Sequence, residues 1–329
     1  MRIKIPLFIG LCAAFVGCGT SEDEAADGPS VEPPADCCGP QGGADAGAEP
    51  PGGTTTVGGQ ASGEWCGTIK MQGSITVPEG ETLSICAGSV VQNATEDLGT
   101  ALVVRGTLRV EGTPQAPVRL GAGVPWRGLR VAGTLSADEM LIDSAAVGLE
   151  TGAGAIVDVR SSRIADCDTT LRAESDVNIE RTLLLDGPVS VGAGTLHLTD
   201  PVVDLGHPGV SPDCISFGGG GAHLDHTLIT GCHCPLHINV AELGLTVEAS
   251  VLEGAVAVMI AHARATFSGN HIIGSSTDVL DIGGGISADL AGNYYGENGL
   301  QLDSGAREQF TGADQPAAGP IAEVGPRAR

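Results

Sequence analysis

The chain repeats itself. Aligned on their glycines, "AHLDHTLITG" (222–231), "LTVEASVLEG" (245–254) and "ATFSGNHIIG" (265–274) place Leu224, Val247 and Phe267 in one column and Leu228, Val251 and His271 in another. "VDVRSSRIAD" (157–166) and "VNIERTLLLDG" (177–187) fit the same frame, and second strands lie between, "CISF", "PLHI", "VMIA" and "LDIG". A period of about 20 to 25 residues, with alternating apolar residues and no helical periodicity, is a strand repeat too small to bury its own apolar face. Such units stack on their neighbours in a one-dimensional array. The fold class expected is all-β, a right-handed parallel β-helix of about eleven turns over residues 63–310. Strands of successive turns about 4.8 Å apart make it a rod roughly 50 Å long. Asn270 and Asn293 are expected at coil bends, where left-handed backbone is tolerated.

"ITVPEGETLSICAGSVV", "LVVRGTLRVEGTPQAPVRL", "WRGL" (126–129) and "GNYYG" (292–296) resemble the parallel β-helix repeat proteins of bacterial envelopes, in the pectin-lyase-like superfamily. The resemblance implies the coil. It does not imply an activity, because that superfamily holds pectate lyases, polygalacturonases and surface proteins alike.

The first 62 residues read differently. "MRIKIPLFIGLCAAFVGC" pairs two early cations with an apolar run too short to span a bilayer, the pattern of a secretory signal over 1–17. "FVGC" resembles a lipobox, which implies lipidation of Cys18 and an outer membrane lipoprotein facing periplasm or cell surface. Residues 18–62, rich in Gly, Pro, Ala and acid, hold too little to bury and are expected to be a disordered tether. Residues 311–329 are expected to be an irregular tail.

Charge narrows the partners. The 329 residues carry a formal net charge of −24 and only two lysines, Lys4 and Lys70. Nucleic-acid binding requires a dense basic surface, so that class is excluded. The partners expected are the membrane, through the lipid anchor, and a glycan or a surface protein.

Catalytic patterns are thin. The close carboxylates of a glycosidase are missing: the chain has no "DD" and no "NTD". "HLDH" (223–226) echoes a lyase motif only at Asp225 and His226. The densest chemistry is "TGCHCPLHIN" (230–239), where Cys232, His233, Cys234 and His237 supply a zinc-like donor set. Alternation with inward Leu236 and Ile238 turns His237 outward, in a column expected to run Ser216, His237, Met259, Asp281. A Ser–His–Asp triad with Asp281, two rungs away, fails on distance.

A secreted chain favours disulfides. One-turn spacing pairs Cys66 with Cys86, and Cys214 with Cys234 or, as second choice, Cys232. Cys167 is expected as a buried thiol, and Cys37 and Cys38 fall in the tether. The functional strip, if there is one, is Asp213, Ser216, His223, His226, His233 and His237. The leading expectation is a non-enzymatic binding, display or structural role without a cofactor. The alternatives are a polysaccharide lyase or hydrolase with Asp213, His226, His233 or His237 as catalytic candidates, and a metal protein holding Zn or Ca.

Overall fold

The structure is a computed structural model that describes residues 53–95, 97–206, 212–260, 263–281, 287–302 and 310–327. The signal peptide, Cys18, Cys37, Cys38 and His207 lie outside them. The described body is a parallel β-solenoid of about 10 turns with no helix among these residues. The coils are uneven: 19 residues separate the paired Val177 and Leu196, and 27 separate Thr107 and Thr134.

Each coil carries three short strands, so the rod has three faces. On face one, strands Gly128–Val131, Val147–Thr151, Thr169–Glu174, Val189–Ala193, Ile215–Phe217 and Leu236–Ile238 pair in parallel, rung on rung. Face two is a 12-stranded sheet running from Gly63–Trp65 to Phe310–Thr311. Face three includes Met140–Ile142, Arg163–Ile164, Leu183–Leu185, Val202–Asp204 and Leu228–Cys232. Faces one and three merge into one 18-stranded sheet, since the long strands Thr68–Val77, Val251–Ile260 and His271–Asp281 run through both.

The repeat columns fall where the sequence places them. Leu224, Val247 and Phe267 are in register and buried; Leu228, Val251 and His271 are in register on the outer side of face three. Inward Val, Ile and Leu of each rung stack on those of the next, and together they form one continuous core.

One corner of the coil carries a buried polar spine. Glu139, Ser161, Arg181, His226 and Ala249 adopt left-handed backbone there, as do Gly269 and Gly292. The residue after each turns inward and is buried, first Met140 and then the polar Ser162, Thr182, Thr227, Ser250, Asn270 and Asn293. The polar side chains link successive coils. Ser250 Oγ accepts the Thr227 N–H, Asn270 Oδ1 accepts the Ser250 N–H, and Asn293 Oδ1 accepts the Asn270 N–H. The two asparagines therefore do not hold the bends themselves; the residue before each does. A corner amide has left the strand ladder, and the spine satisfies it.

Two boundaries shift. Thr54–Gln60, inside the expected tether, is a strand paired with Thr68–Val77. Its Thr-Thr-Thr-Val stretch has the β-branched character that suits an edge rung, which the surrounding glycines mask. The segment from 312 to 327 is irregular, and it is tied down. It runs back along the spine corner: Ala317 N–H donates to Asn293 O, Ile321 N–H to His271 Nε2, and Gly325 N–H to Ala249 O. Arg327 then forks onto Asp200 at 2.7 and 2.8 Å.

Candidate functional site

Face one carries the most varied outward chemistry. Its outer column runs Val103, Arg130, Glu150, Arg172, Ser190, Ser216, His237, Met259, each in register with the next. From Arg130 to His237 this is five rungs, roughly 24 Å. Beyond Met259 the column meets Leu280, while Asp281 pairs with Ile260, so the expected place of Asp281 in this column is wrong by one residue. The step from His237 to Met259 is 22 residues and that from Met259 to Leu280 is 21, so the spacing does not repeat.

At one end of the column three guanidinium groups surround a single carboxylate. Arg130 Nε lies 2.9 Å from Glu150 Oε2, Arg127 Nη2 3.5 Å from it, and Arg172 Nη1 3.8 Å from Oε1. In a chain of net charge −24 this is a local positive patch. No local pattern marks this patch, because Arg127 and Arg130, Glu150 and Arg172 lie on three successive coils and meet only through stacking.

At the other end, Asp213 Oδ2 lies 2.5 Å from His237 Nδ1, and both side chains are mostly buried. Leu236 and Ile238 are fully buried, which fixes His237 outward as alternation requires. Ser216 is its in-register neighbour on the preceding rung. The acid partner of His237 is thus Asp213, on the coil of Ser216, and not Asp281. A carboxylate on Nδ1 holds the imidazole in one orientation and leaves Nε2 for a ligand or a proton.

The other candidates disperse. His223 faces out from face two. His226 sits on the spine corner, with Nδ1 2.7 Å from Asp225 Oδ1 and Asp225 also near Arg327, so this pair anchors the tail. His233 lies in the turn before Leu236–Ile238. The six residues expected as one strip do not share a face; only Asp213, Ser216 and His237 converge.

The cysteines settle differently from the first choice. Cys66 pairs with Cys86, and Cys214 pairs with Cys232, not Cys234. Ile215 is in register with Leu236, which sets Cys214 beside Pro235, so Cys234, one residue off, faces away. A bulge between Ile229 and Cys232, with Gly231 at φ 73°, brings Cys232 within reach instead. The donor set Cys232, His233, Cys234, His237 is therefore not assembled: Cys232 is in the disulfide, and Asp213 takes one nitrogen of His237. Burial pushes the Cys234 thiol up to about 12 and the Cys167 thiol up to about 11, so both are held protonated. Among the described residues, three donors of the metal-binding types come together only at Glu64, Cys66 and Cys86, and those two cysteines are bonded to each other.

Among the described residues, the aromatics supply no stacking platform on face one. Trp126, Phe217, Phe267 and Tyr295 are buried, and Tyr294 stands against His271. Comparison with protein-family models, with curated proteins and with solved structures gives no match.

Proposed function

We propose that this chain is an envelope-anchored parallel β-helix lipoprotein with a non-enzymatic role, binding or displaying a ligand at the outer membrane. Acylation at Cys18 supplies the anchor, the acidic segment up to residue 52 the leash, and the solenoid a rigid ligand-bearing body. The pectin-lyase-like resemblance of the coil fits this reading. The observation that carries it is the outer column of face one. A cationic patch, two serines and an oriented histidine stand on successive rungs about 4.8 Å apart, a line of polar groups along which an extended polar ligand such as a glycan can lie.

The test is a glycan array, followed by titration calorimetry, on the purified full chain. Arg172→Ala and His237→Ala are each expected to weaken a bound ligand about tenfold, the loss of one charge-assisted hydrogen bond. A ligand whose affinity ignores both variants rejects the column as the site. Anchoring is tested by mass spectrometry of the N-terminal peptide, with Cys18→Ala expected to release the protein from membranes.

One observation favours a second reading, a carbohydrate-active hydrolase or lyase: the Asp213–His237 pair is the arrangement that orients a general base, with Ser216 beside it. Release of reducing or unsaturated ends from a glycan, abolished in His237→Ala, would replace the non-enzymatic reading with this one.

A further inference from the structure

Face two holds a pair of histidines that the face-one column does not use. In its parallel register Asn178, His197, His223 and Thr246 stand on four successive rungs. Leu196, Leu198, Ala222 and Leu224 are buried, so His197 and His223 both project outward from a fixed backbone. Their ring centroids are 6.3 Å apart with the planes tilted by 53°.

The two rings are also uncommitted. His226 spends a nitrogen on Asp225, His237 on Asp213, and His271 on the Ile321 N–H. Neither His197 nor His223 makes a side-chain hydrogen bond or ion pair among the described residues. A ligand would displace only water from them.

We propose that His197 and His223 form a two-imidazole site for a divalent first-row transition cation, with Cu²⁺ held more tightly than Zn²⁺. Neutral imidazole is the commonest protein ligand for such ions, and their affinities follow that order. Metal–nitrogen bonds of about 2.0–2.1 Å put two ligating nitrogens roughly 3 to 4 Å apart. Rotation about the soft terminal torsion of each side chain closes the present gap, because the two Cα atoms sit on adjacent rungs about 4.8 Å apart. Asn178, one rung below, offers an amide oxygen, and water fills the remaining positions. The hollow beside His197 is lined by Asp158, Glu180, Asn178 and Arg160. Arg160 is tied to both carboxylates and Arg181 to Glu180, so the two acids there are balanced by two guanidinium groups. The net charge of −24 on the chain attracts cations to its surface in general, and the two imidazoles supply the local selectivity. The site shares no residue with the ligand column of face one.

The test uses the full chain with its accessible thiols alkylated, titrated with CuCl₂ and with ZnCl₂. Copper at this site is expected to give a paramagnetic resonance spectrum with hyperfine structure from two imidazole nitrogens. His197→Gln and His223→Gln are each expected to lower affinity for both ions by about tenfold or more, while His233→Gln leaves it unchanged. Circular dichroism melts verify that each variant keeps the coil, and His223→Asn replaces His223→Gln if that variant melts early. Binding that survives both substitutions, a spectrum with one nitrogen or none, or no binding of either ion overturns the proposal.

Discussion

At the scale of the residue, burial and one partner decide what each titratable side chain does. Cys167 and Cys234 are thiols by sequence and inert by location: burial holds both protonated. Iodoacetamide at pH 8 is expected to leave both untouched in the folded protein and to label both once it is denatured. Peptide mapping checks this, and the same map is expected to show Cys214 joined to Cys232. Two aspartates diverge in the same way. Partial burial pushes the Asp200 carboxyl up, but the hydrogen bonds and charge of Arg327 outweigh it and hold it below the ordinary carboxylate value of about 3.9. Its contribution to stability is present above that value and is lost as pH falls through the folded one. Asp278 is the reverse. Burial raises it, and the Gly274 and Gln301 N–H groups offset only part of that rise. Its contribution is present below the ordinary value and is lost as pH rises through the folded one. A carboxyl-detected NMR titration is expected to find Asp200 below the ordinary range and Asp278 above it.

At the scale of the element, the spine corner and the tail explain why the coils stay aligned. Asn270 accepts from the Ser250 N–H and donates to Val247 O and to Asn293 Oδ1. Asn270→Ala leaves buried partners unsatisfied and is expected to cost about 2 kcal/mol or more, read by denaturant melts. The tail lies over the same corner, latched at its end by Arg327 on Asp200. In Arg327→Ala the amides of Ile321 and Gly325 are expected to exchange faster with deuterium, with amides of the coils beneath unchanged. Wild-type protein moved below the ordinary carboxylate range is expected to show the same loosening, since Asp200 then loses its charge. Equal protection of the tail in both proteins would mean that the latch contributes nothing.

At the scale of the whole molecule, the continuous core of the solenoid is extended from rung to rung and has no single centre. Each rung touches only the rungs above and below it, so stability is a sum of neighbour terms. Leu224→Ala removes a fully buried side chain and is expected to cost about 2–5 kcal/mol. The gain in hydrogen exchange is expected to concentrate on the adjoining strands Thr195–Thr199 and Ala241–Glu248 and to leave Thr82–Cys86 protected. A uniform rise along the chain would mean one cooperative core instead. The rod geometry also makes a single outward column per strand into a ruler, which is how residues far apart in sequence become a surface.

What was legible in the sequence is what neighbouring residues decide among themselves. Alternation of Leu224, Leu236 and Ile238 with polar residues, and the glycines that close each unit, require short strands stacked in parallel. They also turn His237 outward and set Cys66 one coil from Cys86. The tertiary structure alone decided register. One bulge at Gly231 gave Cys214 to Cys232, a coil one residue shorter than the one before it put Leu280 rather than Asp281 beside Met259, and stacking gathered Arg127, Arg130 and Arg172 on Glu150. The physical reason is the period of two along a strand: a single inserted residue reverses every side chain after it, and local propensity does not record where that residue falls.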